Sequence, residues 1–285
     1  MGCHWQELLS ILPQWLAVEI RQYEDACLQE LRLRIHRPPE LIVKGNSKWL
    51  RRDIIGDDLQ FCVNAASRYS PWAAASVSQG YLTAPGGHRI GICGEAVVKD
   101  GKLSVIRQIT SLNIRVARDF PGIARRISCR DNTLIIGAPG SGKTTLLRDL
   151  IRQLSNRGER MGVVDERGEL FPSADFPPGN CTDVLSGCGK EEGIGVILRT
   201  MGPNWIAVDE ITAKSDCDAL IRCGWCGVRL LATAHAASVR DLKTREVYRP
   251  LIETGLFSSV IVLNSDKTWT QERMELCNTN GSERS

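Results

Sequence analysis

The spacing of apolar residues along this 285-residue chain changes period twice, and those changes divide it. Over residues 1–28 it is helical: Trp5, Leu8, Leu9 and Leu12, then Leu16, Ile20 and Tyr23, with Pro13 separating two helices. Leu31, Leu33 and Ile35 then alternate with Arg32, Arg34 and His36, the pattern of a strand with one buried face. Pro38-Pro39 ends it, and Leu41-Ile42-Val43 and Trp49-Leu50 flank a hairpin turn at Gly45-Asn46. Asp57 predicts the N-cap of a helix to about Tyr69, with an Ala-rich helix near residues 72–78. Residues 80–118 read as antiparallel strands. Tyr81-Leu82-Thr83 leads to a turn at Pro85-Gly86-Gly87 and a strand from His88 to Val98. Asp100-Gly101 turns it into Leu103 to Gln108, and Leu112 to Arg118 adds a further strand.

From residue 131 apolar strand runs alternate with amphipathic stretches. Strands are expected at 132–136, 160–165, 182–185, 205–209, 228–234 and 259–263, and helices near 143–154, 189–201, 213–223 and 238–254. Strands with no polar side need cover on both faces, so the rhythm predicts a mainly parallel sheet between helical layers. The expected division is an α+β domain over 1–120 and an α/β domain over 121–285, with the boundary at Asp119-Phe120-Pro121-Gly122. A short basic helix should follow that boundary. Phe171 to Asn180 reads as a Pro-rich surface loop, and Asn278 to Ser285 as a polar, frayed tail.

Composition narrows the picture modestly. A formal net charge of +3 argues for neither nucleic acid nor an anionic membrane. No apolar run reaches the ~18–20 residues of a membrane span, and the N-terminus lacks a signal-peptide core, so a cytoplasmic protein is expected. The eleven cysteines are odd in number and scattered, as small buried hydrophobes of a reducing compartment are. Cys223-Gly224-Trp225-Cys226 has redox or zinc spacing, but no second pair accompanies it, so it reads as structural.

Chemistry concentrates at Gly137-Ala138-Pro139-Gly140-Ser141-Gly142-Lys143-Thr144, which matches G-x-x-x-x-G-K-[ST] between an apolar strand and an amphipathic helix. Glycines let successive N–H groups face one concavity, and the next helix adds its positive dipole end. Lys143 supplies charge for β- and γ-phosphates, the Thr144 hydroxyl a ligand for Mg²⁺, and Thr145 a hydrogen bond to the α-phosphate. ATP with Mg²⁺ is the cofactor pair this predicts.

Trp205-Ile206-Ala207-Val208-Asp209-Glu210 is an apolar strand ending in two acids, and ligand groups gather at such carboxyl ends. Asp209 is the candidate magnesium ligand with Thr144, and Glu210 the residue that orients the attacking water. Met161 to Asp165 delivers Asp165, Glu166 and Glu169 after its strand, and Leu230 to Ala234 delivers Thr233 and His235. Glu210, Lys143, His235 and Glu166 form the candidate catalytic set.

Glycine loop, acidic strand end, acid pair and histidine strand end, in that order, resemble the motor ATPases of type II secretion, type IV secretion and pili. On that resemblance the loop is a Walker A, Asp209 and Glu210 a Walker B, Asp165, Glu166 and Glu169 an acidic box and His235 a histidine box. Leu198-Arg199 and Pro203 match the lead-in, while Asp209 departs from the Gly many of those motors carry. Glu30 to Ile35, Gly86 to Ile92, Ser111 to Arg115 and Val164 to Arg167 are similar to the stage III sporulation protein AA family of endospore-forming Firmicutes. The resemblance implies a RecA-like/AAA+ ATPase domain behind a smaller α+β domain. It further implies a hexameric ring of this chain and mother-cell cytoplasm, with peripheral membrane association through the channel proteins of stage III sporulation. In such rings N-terminal arginines reach a neighbour's γ-phosphate, which makes Arg89, Arg107 and Arg115 candidates. Two readings stay open beside it: a nucleic-acid-dependent RecA-like ATPase, and an ATP-binding switch or scaffold that does not hydrolyse. The charge balance and the lack of a basic-aromatic groove weigh against nucleic acid.

Overall fold

The computed structural model describes residues 2–24, 28–68, 80–174 and 176–274. The Ala-rich stretch near 72–78 and the tail from 278 lie outside them. The chain divides into two compact units: Met1–Asp119 with Pro172–Asp175, and Phe120–Phe171 with Phe176–Ser285.

The first unit opens with β1 (Gly2–Cys3), α1 (Trp5–Ser10) and α2 (Gln14–Ile20), the two helices separated by Pro13. Then come β2 (Leu28–Arg34), β3 (Glu40–Val43), β4 (Asn46–Trp49), α3 (Gly56–Ala66), β5 (Tyr81–Thr83), β6 (Arg89–Lys99), β7 (Lys102–Arg115) and β8 (Arg118–Asp119). Six of the strands form an antiparallel sheet in the order β4-β3-β2-β7-β6-β5. One sheet face carries Leu31, Leu33, Ile90 and Ile114 into a core with Leu8, Leu12, Leu16, Ile20 and Leu59 of the helices. Alternation holds through Leu31, Leu33, Ile90, Ile92, Leu112 and Ile114, and the other face of β2 keeps Arg32 and Arg34.

Local chemistry shifts three expected boundaries. The β3–β4 turn centres on Lys44 and Gly45, at φ 51° and 81°, one residue before the expected position. Asp58 rather than Asp57 closes the start of α3, its carboxylate accepting from Ile55 N at 3.1 Å and from Trp15 Nε1 at 2.8 Å. The two strands expected over 103–118 are one strand, β7, whose pairing with β6 is carried across irregularities by register shifts.

The second unit contains β9 (Thr133–Gly137), α4 (Lys143–Asn156), β10 (Met161–Asp165), β11 (Thr182–Ser186), α5 (Lys190–Thr200), β12 (Trp205–Ile211), α6 (Lys214–Trp225), β13 (Arg229–His235), α7 (Val239–Thr244), α8 (Arg249–Glu253), β14 (Ser259–Leu263) and β15 (Trp269–Arg273). Its seven-stranded sheet runs β11-β10-β12-β13-β9-β14-β15, parallel except for the last pair. Successive residues of one strand serve opposite cores. Leu134, Ile136, Val164, Ile206 and Val208 pack to one side; Ile135, Val163, Trp205, Ala207 and Leu231 pack to the other, against Leu146, Leu147 and Leu150 of α4. This explains why these strands read as unbroken apolar runs.

Three expectations for this unit need correction, and one strand is added to it. Residues 121–126 form turns rather than a basic helix: Gly122 sits at φ 90°, outside the helical region, and the amides of Ile123, Arg125 and Ile127 reach carbonyls only three residues back, while Asp149 of α4 accepts from Gly122 N and Ala124 N. The helix expected over 238–254 is broken into α7, a short 3₁₀ turn and α8. Pro250 has no N–H for a continuous helix and sits instead in the first turn of a new one. The loop over 171–180 is not simply a surface loop. Phe176 is buried under the Arg148 guanidinium, Pro177 O accepts from Arg152 Nε at 2.9 Å, and Cys181 N donates to Ser155 Oγ at 2.7 Å. Finally β15, mostly exposed and polar, pairs antiparallel with β14 without any apolar pattern to announce it.

Candidate active site

The predicted groups meet at the carboxyl ends of β9, β12 and β13. Gly137 ends β9, and a Cβ there would stand 2.6 Å from Ser141 Oγ and 2.9 Å from Leu263 O, so only glycine fits. Ala138, Pro139 and Gly140 are exposed, and Gly140 and Gly142 take φ 72° and 104°, the left-handed turns that curl the loop. Gly142 caps α4, whose first residues Lys143, Thr144 and Thr145 present unsatisfied N–H groups at the loop.

Lys143 is buried, and that burial pulls its ammonium below the usual lysine range, with Asp209 and Glu210 opposing the shift. Its Nζ donates to Gly137 O and Ala138 O, both at 3.0 Å, and meets His235 Nδ1 at 3.0 Å. An ammonium can only donate, so Nδ1 accepts and the ring proton sits on Nε2. Nε2 in turn reaches Glu210 Oε1 at 2.9 Å. Lysine, histidine and glutamate thus form one chain of hydrogen bonds.

The acids emerge where β12 leaves its ladder. Its pairing with β13 shifts register between Val208 and Ile211, and Glu210 sits at φ 53°, a conformation that costs about 1–3 kcal/mol for a non-glycine residue. Glu210 N donates to the Thr233 hydroxyl at 2.7 Å, and Thr233 Oγ1 donates to Asp209 Oδ1 at 2.6 Å. The other oxygen of Asp209 accepts from Thr144 Oγ1 at 2.7 Å. Burial pushes the Asp209 carboxyl above the usual range; the two threonine hydroxyls pull it down, and Glu210 and Asp165 push it further up. A charged Asp209 is therefore a group in need of a cation.

The predicted Glu166 goes elsewhere: its carboxylate takes Lys190 Nζ at 2.5 Å, and that buried lysine also lies 3.7 Å from Asp216. Asp165 is buried and accepts from the amides of Glu169, Leu170 and Phe171 at 2.9–3.1 Å, so it closes the turn after β10. Arg167, on the same turn, donates to Glu210 Oε2 at 3.1 Å, a contact the sequence reading did not assign. The motif around Arg167 was legible; its partner, 43 residues away, was not. Arg89, Arg107 and Arg115 lie on β6 and β7 of the first unit, with Arg89 over the Tyr81 ring and Arg115 3.8 Å from Glu30. Cys223 is a core residue whose thiol burial pushes up to about 12, and Cys226 is exposed at the end of α6.

A magnesium nucleotide fits this donor set. Ser141 Oγ is buried at the loop with no hydrogen-bond partner among the described residues, the amides of the α4 start point into the loop, and Thr144 and Asp209 bring hard oxygens together. Among the described residues no cluster of three or more His, Cys, Asp or Glu could hold a metal ion.

Known proteins match both sequence and fold. The family model described as sporulation stage III, protein AA, matches residues 6–281. Stage III sporulation protein AA of Bacillus subtilis (strain 168) is 36% identical over 283 residues, 92% of this chain and 91% of that protein. The X-ray structure of the Legionella pneumophila ATPase DotB superposes with a TM-score of 0.61 at 17% identity, covering 92% of this chain and 80% of that one. The pilus retraction motor PilT, crystallised with ADP, gives 0.59 at 13% identity over 86% and 76%. At such identities the two structures establish the α/β fold alone. Among the described residues no helix is long and apolar enough to cross a membrane.

Proposed function

We propose that this chain, which belongs to the sporulation stage III protein AA family, is a magnesium-dependent ATPase of the secretion-motor kind. The observation that carries this is the 2.7 Å contact of Thr144 with Asp209. A hydroxyl at a helix start after a glycine loop and a strand-end carboxylate would together hold one hard cation. When bound, that cation supplies positive charge to the terminal phosphate oxygens. The N–H groups of the loop, of which Pro139 has none, and those of Lys143, Thr144 and Thr145 cradle the phosphates, and Lys143 exchanges His235 for them. Glu210 orients the attacking water. His235 links the two: once Lys143 turns to phosphate, its Nδ1 loses a donor, and the bond to Glu210 is free to rearrange. Glu166 is left out of the catalytic set in this reading, because Lys190 holds its carboxylate.

The assembly in this reading is a hexameric ring of identical chains, cytoplasmic in the mother cell. It docks at the membrane through the channel proteins of stage III sporulation and energises or assembles them, with no nucleic acid involved. Purified protein, with turnover and light scattering followed as ATP is added, tests it. Lys143→Ala should lose ATP binding and turnover, and Glu210→Gln should keep ATP bound and stop hydrolysis. Normal turnover in Glu210→Gln would sink the catalytic assignment. Stimulation by single-stranded DNA that fades with salt would favour the nucleic-acid reading.

A further inference from the structure

A second lysine reaches the glycine loop from the turn between β14 and β15. Lys267 Nζ donates to Gly140 O at 2.6 Å, across 127 positions of sequence. The turn is built to hold it. Asn264 N donates to Thr268 O and Lys267 N to Asn264 O, while Asp266 Oδ1 accepts from both the amide and the hydroxyl of Thr268. Lys267 itself takes φ 71°, a left-handed conformation that lysine rarely adopts. The catalytic reading gives this residue no task.

Sheet register says which end of the site it serves. Gly137, at the root of the loop, pairs with His235 on one side and with Leu263 on the other. Asp209, Glu210 and His235 all belong to the β12–β13 side. Lys267 follows Leu263 by four residues and so flanks the loop from the opposite side. Lys267 thus stands at the far end of the loop from the acids that would face a terminal phosphate.

We propose that Lys267 is a nucleotide-binding residue at that far end. In the free protein its ammonium steadies the outer carbonyl of the loop; with nucleotide present its charge serves the phosphate nearest the ribose. The inference rests on the ATPase reading and adds to it a contact with the part of the nucleotide that does not react. Such a contact strengthens substrate and product alike and leaves the chemical step untouched.

The test compares wild type, Lys267→Ala and Lys267→Glu. Affinity for Mg-ATP and Mg-ADP is measured by calorimetry at low and high salt, together with kcat, melting temperature, and hydrogen exchange over residues 138–142 without nucleotide. Both nucleotides should bind about 3–10-fold more weakly to the alanine variant, and more weakly still to the glutamate variant, with the gap narrowing at high salt. Saturated kcat should stay within about twofold and melting should be unmoved, while loop exchange speeds up. Equal affinity in wild type and Lys267→Glu overturns this proposal while leaving the ATPase reading standing. So does a fall in kcat at unchanged affinity. Wild type that binds no ATP overturns both.

Discussion

The two sheets of this protein handle charge in opposite ways. In the antiparallel sheet of the first unit, charge lies sideways on the open face: Glu30 pairs with Arg32 at 2.8 Å and Glu40 with Arg34 at 2.8 Å, where water screens them. In the parallel sheet of the second unit both faces are apolar, and charge is pushed to the strand ends, where Lys143 and Asp165 are buried and Asp209 is desolvated. The ionisation of these groups shows the contrast. Arg34 and Ser47 hold Glu40 below the usual carboxylate range, whereas burial lifts Asp165 and Asp209 above it and draws Lys143 down. The lesson is that charge on a solvated face contributes little to stability or chemistry. Charge crowded at a dry strand end is costly alone and responds strongly to a counter-ion.

Several substitutions would break or sharpen that contrast. The largest effect is expected at the strand ends: Glu210→Gln should cut ATP turnover by about 100-fold or more, while Arg32→Ala on the open face leaves it within about twofold. Packing comes next. A Cβ on Gly162 of β10 would clash with Ile197 Cγ2, whereas one on Gly91 of β6 meets nothing nearer than 3.9 Å among the described residues. Gly162→Ala should therefore destabilise by about 1–3 kcal/mol in urea unfolding and Gly91→Ala by less than about 0.5. If both cost the same, the two-faced burial of β10 does not set the difference.

The pH dependence should differ in sign between the sheets. Asp209 has a folded-state pKa raised above its unfolded value, so it favours the folded state at low pH, and that advantage is lost as pH rises through the raised value. Asp209→Asn should then raise the melting temperature of the nucleotide-free protein at neutral pH, by about 2–4 °C per kcal/mol relieved, and change little in acid. Glu40 is lowered, so its contribution is present above the ordinary glutamate value and lost as pH falls through the lowered one. Arg34→Met should remove that acid-side loss. Half-exposed as the arginine is, the effect is the smallest of the set, about 0–1 kcal/mol, and it fades with salt. Melting curves of both variants from pH 3 to 8 check the two signs together; parallel shifts would erase the distinction.

Where sequence reading failed, the deciding partner was distant. A basic helix is expected after Gly122, yet Asp149 of α4 holds the amides of Gly122 and Ala124 in turns. β15 exists because β14 offers it an edge, with only Trp269 to hint at a strand. Lys267 and Arg167 carried no local sign of their contacts with Gly140 and Glu210. Glu166 looked like one more acid of the site until Lys190, 24 residues on, took its carboxylate.

The chain's own order of residues was enough for everything with a short period. Apolar spacing set helix against strand, one-sided alternation against two-sided runs told the two sheets apart, and the glycine loop announced its own curl, because each depends on neighbours within one or two turns of backbone. Which charges meet was decided only by folding. Sheet order puts β13 next to β9 and β12 next to β13, a register shift turns Glu210 outward, and the hairpin after β14 carries Lys267 to the loop. Those contacts join residues tens to more than a hundred positions apart, and no local pattern encodes them.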